Sequence, residues 1–191
     1  MTQRLKLEPS PISQTHVDKV FSPVCNCATS AAHIDFSIRH ADRLRIWIRT
    51  PAGPVTIANG EFPKGMLHAR WDGRDATGSV LPDGVYFAVV HLRRAQRTIN
   101  LPNPIRVDTV KPAIALVSMS RDGDKTLFRY RTSEPAHALL FVDGERRIRT
   151  YSTRTHGKFE YAGLLTPTTR LVLRARDVAG NLSPAVKLSS L

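Results

Sequence analysis

Between residues 33 and 49 the apolar side chains fall at every second position. Ile34, Phe36 and Ile38 alternate with His33, Asp35, Ser37 and Arg39. After a polar corner at His40-Ala41-Asp42, Leu44, Ile46 and Ile48 alternate with Arg43, Arg45, Trp47 and Arg49. A period of two belongs to a β-strand with one buried and one solvated face. The spacing predicts two paired, half-buried strands. It also predicts an outward basic stripe of Arg39, Arg43, Arg45 and Arg49 with Trp47 among them.

The chain beyond these strands is punctuated by turns. Trp71 ends a short apolar segment and is followed by Asp72-Gly73-Arg74-Asp75-Ala76-Thr77-Gly78, then by Pro82-Asp83-Gly84 ahead of the apolar run 85–92. Asp-Gly steps accept positive φ and mark tight connections, and the run after them is rich in residues that suit a pleated surface. Short strands are also expected at 55–58 and 67–71, with a hairpin through 93–97 and a closing strand at 105–107. Residues 1–20, polar and carrying Pro9 and Pro11, read as a leader or linker with little structure of its own.

The strings WDGRDATG (71–78) and LPDGVYFAVV (81–90) resemble the immunoglobulin-like domain first known from the bacterial flagellar hook-capping protein, and Phe21-Ser22-Pro23 resembles its start. The resemblance covers about residues 21–107 and implies a β-sandwich at a bacterial surface or in a secreted protein. Where the family continues with an acidic, glycine-rich segment, this chain has Val24-Cys25-Asn26-Cys27, so no metal site is carried over.

A proline-bearing joint at 108–112 opens the second half. Six short strands are expected there, at 113–118, 126–131, 138–142, 148–152, 158–161 and 170–176, with a seventh at 185–188 and a hairpin at Asp143-Gly144. About seven such strands suggest a second sandwich. Val107-Asp108-Thr109-Val110-Lys111-Pro112 and the stretch 175–184 (ARDVAGNLSP) are similar to the ends of bacterial immunoglobulin-like or fibronectin-type modules. The expected fold is all-β, two tandem immunoglobulin-like β-sandwiches, divided as 1–20, 21–107 and 108–191.

The net charge of +12 raises the question of nucleic acid, yet the 21 arginines and 7 lysines are scattered, with no recognition-helix pattern and no aromatic RNA-binding signature. Specific nucleic-acid binding is not expected. Residues 1–11 lack the apolar core of a signal peptide, and no apolar run reaches membrane-spanning length. An export signal or membrane anchor upstream of Met1 reconciles this with the extracellular or cell-envelope location that the resemblance implies.

Catalytic signatures are missing from the sequence. It has no His-Glu-x-x-His pair, no Gly-x-Ser-x-Gly elbow and no glycine-rich phosphate loop. Ser120-Arg121-Asp122-Gly123-Asp124 lacks the spaced acids of a calcium loop and reads as a hairpin turn. Cys25 and Cys27 are the only cysteines, too few for a structural zinc site. They are expected to form a disulfide in an oxidising compartment and to remain free thiols in a reducing one. No enzyme, cofactor or metal is expected. The expectation is a non-catalytic spacer or protein-interaction module. The alternative is a carbohydrate- or cell-wall-polymer-binding module. Either would use Arg43, Arg45, Trp47 and Arg49 to contact a protein or an anionic envelope polymer.

Overall fold

The computed structural model describes residues 9–189, and among these every regular element is a strand. The described chain divides into two compact units. The first comprises residues 9–23 and Ala31–Asp108, the second Val24–Ser30 and residues 109–189.

The first unit holds β1 (Ile12–Val17), β2 (Val20–Phe21), β3 (Ala32–Ile38), β4 (Asp42–Thr50), β5 (Gly53–Phe62), β6 (Gly65–Trp71), β7 (Gly84–Leu92), β8 (Arg97–Asn100) and β9 (Ile105–Val107). One sheet has the order β1-β3-β6, and the other β2-β9-β7-β4-β5 with β8 also on β7. All pairings are antiparallel except β2 with β9. Ile34, Phe36 and Ile38 from the first sheet and Leu44, Ile46 and Ile48 from the second are essentially inaccessible and share one core with Trp71, Ile105 and Val107. Burying each such side chain contributes about 1.5–3 kcal/mol. This is an immunoglobulin-like sandwich.

Two sequence expectations change here. The alternating strands β3 and β4 do not pair with each other: β3 lies between β1 and β6, and β4 between β7 and β5. The corner at His40-Ala41 carries the chain from one sheet to the other, so both apolar faces meet the same core. The leader assigned to residues 1–20 is also corrected from residue 12 onward, because β1 pairs with β3 and buries Ile12 and Val17. Those residues are an odd number apart, which in a regular strand puts them on opposite faces. A bulge between Ser13 and His16, with Gln14 at φ 51°, turns both inward.

The second unit holds β10 (Ile114–Asp122), β11 (Lys125–Val142), β12 (Glu145–Arg149), β13 (Arg154–Tyr161), β14 (Leu171–Arg176) and β15 (Val186–Leu188). The 18-residue β11 replaces the two separate strands expected at 126–131 and 138–142. Its first half pairs with β10 and β13, its second with β12 and β14, and β15 lies beyond β14. The change of partners falls between Arg131 and Ala136, where Thr132 Oγ1 lies 2.7 Å from the carbonyl of Glu134 and 2.8 Å from that of Arg154. Phe128, Tyr130, Ala136, Ala138, Leu140 and Val142 all point inward from β11. Phe128 stacks on Phe159 of β13 with ring centroids 5.1 Å apart. The Asp143-Gly144 hairpin has both residues at positive φ, and Asp122-Gly123-Asp124-Lys125 closes β10 on β11 as a tight turn.

Candidate functional site

The outer face of the second sheet of the first unit carries the arginine–tryptophan group predicted from alternation. Arg43, Arg45 and Arg49 project from β4 and are exposed, and Trp47 between them is half-buried. The register places β7 residues beside them: Val89 faces Trp47 and Phe87 faces Arg49. Val85, two residues from Phe87 on the same face, is 58% exposed, and Phe87 itself is 42% exposed. The indole and these two side chains form a short apolar strip edged by guanidinium groups. Phe87 and Val85 were not singled out in the sequence, because they sit in an almost unbroken apolar run.

Arg45 lies over the indole, its guanidinium carbon 5.3 Å from the centroid of the Trp47 ring, and donates from Nε to Thr56 Oγ1 at 3.1 Å. Cation–π contacts at exposed sites contribute about 0.5–1 kcal/mol, so this one orients the pair more than it stabilises the fold. Arg49 Nη2 donates to Asn100 Oδ1 at 3.1 Å. Among the described residues none of Arg43, Arg45 and Arg49 is ion-paired with a carboxylate. A shallow cavity of about 210 Å³ between Arg43, Arg45, Asn59, His91 and Arg93 adjoins the strip. Arg39 does not belong to this face: it follows β3 and donates from Nε to the Ser10 carbonyl at 2.7 Å.

The two turn strings are scaffold. Trp71 is 1% exposed, packs edge-on between Phe21 and Tyr86 at 5.4 and 5.3 Å, and donates from Nε1 to the Arg74 carbonyl at 3.2 Å. Gly73, at φ 75°, lies where a Cβ would press on the Phe21 ring at 3.1 Å. Asp75 Oδ1 accepts from Thr77 Oγ1 (2.6 Å), Thr77 N (2.8 Å) and Ser79 N (3.0 Å), and these donors, the Thr77 hydroxyl foremost, hold its carboxyl below the usual aspartate range. Tyr86, near the start of β7, donates to the Pro82 carbonyl at 2.7 Å, a contact like the tyrosine corner of immunoglobulin-like sandwiches.

Cys25 and Cys27 are joined by a disulfide, with Cα atoms 5.3 Å apart and Asn26 between them at φ 47°. Their segment, Val24–Ser30, folds with the second unit. Thr29 Oγ1 donates to the Ala179 carbonyl at 2.7 Å and lies 3.1 Å from Cys27 Sγ. The loop beneath is held by Asp177, whose Oδ1 accepts from the amides of Gly180 (2.7 Å) and Asn181 (2.8 Å) and whose Oδ2 accepts from Asn181 Nδ2 (2.9 Å). These contacts give the 175–184 string its local purpose.

Histidines on the outer face of the β1-β3-β6 sheet are taken up by aspartates. Asp18 accepts from the His33 amide and meets the His33 ring, both at 2.9 Å, while Asp35 meets His68 Nδ1 at 2.8 Å.

No protein-family model and no curated protein matches the chain. Among solved structures it is similar to the fibronectin(III)-like modules of Clostridium thermocellum CbhA at 13% identity, with a TM-score of 0.49 over 91% of this chain and 90% of that one. It is also similar to a structure from a 1.5-MDa bacterial ice-binding adhesin, at 13% identity and a TM-score of 0.38 over 94% of this chain and 63% of that one. A third likeness is to the E. coli chaperone DraB, at 14% identity and a TM-score of 0.32 over 92% of this chain and 95% of that one. All three scores lie below 0.5, and the two immunoglobulin-like sandwiches are defined by the strand pairings themselves.

Proposed function

We propose that the chain is a non-catalytic binding module of the bacterial cell envelope or extracellular space, built from two modules taken as residues 21–107 and 108–191. Its first module engages an acidic protein partner through Arg43, Arg45, Trp47 and Arg49 together with Phe87. The carrying observation is the half-covered indole on the same face as exposed Phe87 and Val85, edged by arginines of which none forms an ion pair among the described residues, Arg43 standing opposite Glu61 in the register. Aromatic and arginine anchors of this kind dominate interface energetics, while the charges steer association. Kinship of the first module with the hook-capping type rests on its 71–78 and 81–90 strings, and the Cys25–Cys27 disulfide supports an oxidising compartment.

A second reading, a cell-wall polymer on the same face, is favoured by the diagonal placement of Trp47 and the exposed Phe87 on neighbouring strands, two aromatic surfaces on which sugar rings can lie.

Protein purified from its native host tests the proposal. Trp47→Ala and Arg45→Ser/Arg49→Ser should each cut binding to solubilised envelope protein about tenfold or more, with binding falling as salt rises because exposed charges are screened over about 8–10 Å. Thermal stability of Trp47→Ala should stay within a few degrees of wild type, and alkylation should find no free thiol. Unchanged binding by both variants refutes the face. Two alkylatable thiols refute the oxidising location.

A further inference from the structure

The second unit carries a groove of about 640 Å³, lined by β12, the connection 150–153, β13 and the facing part of β11. Six basic side chains edge it: Arg129, Arg131, Arg149, Arg154, His156 and Lys158. Among the described residues none of the six is ion-paired with a carboxylate, and Glu160, the acidic residue of the lining, is held by Lys125 at 3.4 Å.

The cross-strand register concentrates this charge. Arg129 stands opposite Lys158, and Arg131 opposite His156, on neighbouring antiparallel strands. Arg129 and Lys158 are like charges directly opposite each other, an arrangement that is destabilising in a sheet. The one acidic residue of the lining, Glu160, is shared with Lys125, so the six basic groups outnumber the counter-charge, as in a site where an anion supplies the rest.

Part of the rim is preorganised. His137 Nδ1 donates to the Thr150 carbonyl at 2.8 Å, which fixes the tautomer and leaves Nε2 to accept from Arg149 Nη2 at 2.9 Å. Arg154 is held by its Nε donating to Ser152 Oγ at 3.1 Å. Between these arginines Tyr151 is 100% exposed.

We propose that this groove binds an extended anionic polysaccharide, its carboxylates or sulfates meeting the two rows of cations and one sugar ring lying on Tyr151. Successive outward side chains on one strand are about 7 Å apart, so each row presents its charges at intervals along an extended ligand. Single-stranded nucleic acid binders place successive bases on a row of aromatics, whereas this groove offers one exposed ring. The site is separate from the Trp47 face and stands or falls independently of it.

The test is calorimetric titration of the full chain with sodium polygalacturonate, with fully methyl-esterified polygalacturonate as the uncharged form of the same polymer and oligodeoxythymidylate as a nucleic acid. Polygalacturonate should bind and the ester should not. Arg129→Ser/Lys158→Ser should weaken binding about tenfold or more, as expected for losing two charge-assisted contacts, with no loss of thermal stability because a like-charge pair is relieved. Arg121→Ser/Lys187→Ser, with equal charge removed outside the groove, should stay within about twofold of wild type. Tyr151→Ala, at a fully exposed position, supplies an independent variant that should also weaken binding. The proposal is overturned by failure of polygalacturonate to bind, by equal losses in the two charge variants, by full binding in Tyr151→Ala, or by oligodeoxythymidylate binding as tightly as polygalacturonate.

Discussion

Replacing Trp71 with alanine is expected to destabilise the first unit by about 3–5 kcal/mol, the range for truncating a large buried aromatic. The indole is 1% exposed and fills the space between Phe21 and Tyr86. Its Nε1–H also ties the last residue of β6 to the Arg74 carbonyl, so the substitution leaves that carbonyl without its donor as well as opening a cavity. Trp71→Phe keeps part of the packing and should cost less. Hydrogen exchange at the amides of Phe36 and Ile46, on opposite sheets of the same core, reads the effect locally. Exchange rates matching wild type at both would mean that the indole is not what holds the sheets together.

Gly180→Ala is expected to cost about 2–4 kcal/mol in the second unit, combining backbone strain with overpacking. At φ 100° the backbone is in a region that side chains with a Cβ avoid, and the added carbon would collide with Cys27 Sγ and Thr29 Oγ1. The collision can be separated from the strain by a double-mutant cycle with Cys25→Ala/Cys27→Ala, which removes both sulfurs. The combined variant should be less destabilised than the sum of its parts, because the collision with sulfur is then gone and only that with Thr29 Oγ1 remains. Strictly additive costs would show that the sulfur-bearing segment does not press on this glycine.

How much of this was legible in the sequence depended on whether a residue's surroundings were local. The strands β3 and β4 and the outward set Arg43, Arg45, Trp47 and Arg49 follow from period two alone, and their burial alternates as the sequence implies. That β3 and β4 lie in different sheets did not follow, because a short corner serves equally to fold a strand back or to send it to the opposite sheet. β1 was hidden by its bulge: Ile12 and Val17 have the wrong spacing until Gln14 takes a positive φ. Phe87 escaped notice because β7 is covered on both faces at Val89 yet open at Phe87, a distinction set by the length of the neighbouring strands. The groove of the second unit was invisible for a different reason. Arg129 and Lys158 are remote in sequence, and only the register of β11 against β13 makes them neighbours.

The uninterrupted β11 has a consequence for which length changes the second unit can absorb over generations. Inward positions keep one parity from Thr126 to Val142, straight through the change of partners, so the two halves share a single phase. Removing or adding one residue between 133 and 135 would leave the first half in place and turn Ala136, Ala138, Leu140 and Val142 out of the core together. A connection such as 162–170, which contains no strand, carries no such phase and can change length at its surface. Single-residue deletions scored across the chain for soluble expression should therefore show a sharp intolerant stretch at 133–135, although Ser133 and Pro135 are themselves exposed. Tolerance of deletion there equal to that at 162–170 would mean the halves can slip independently.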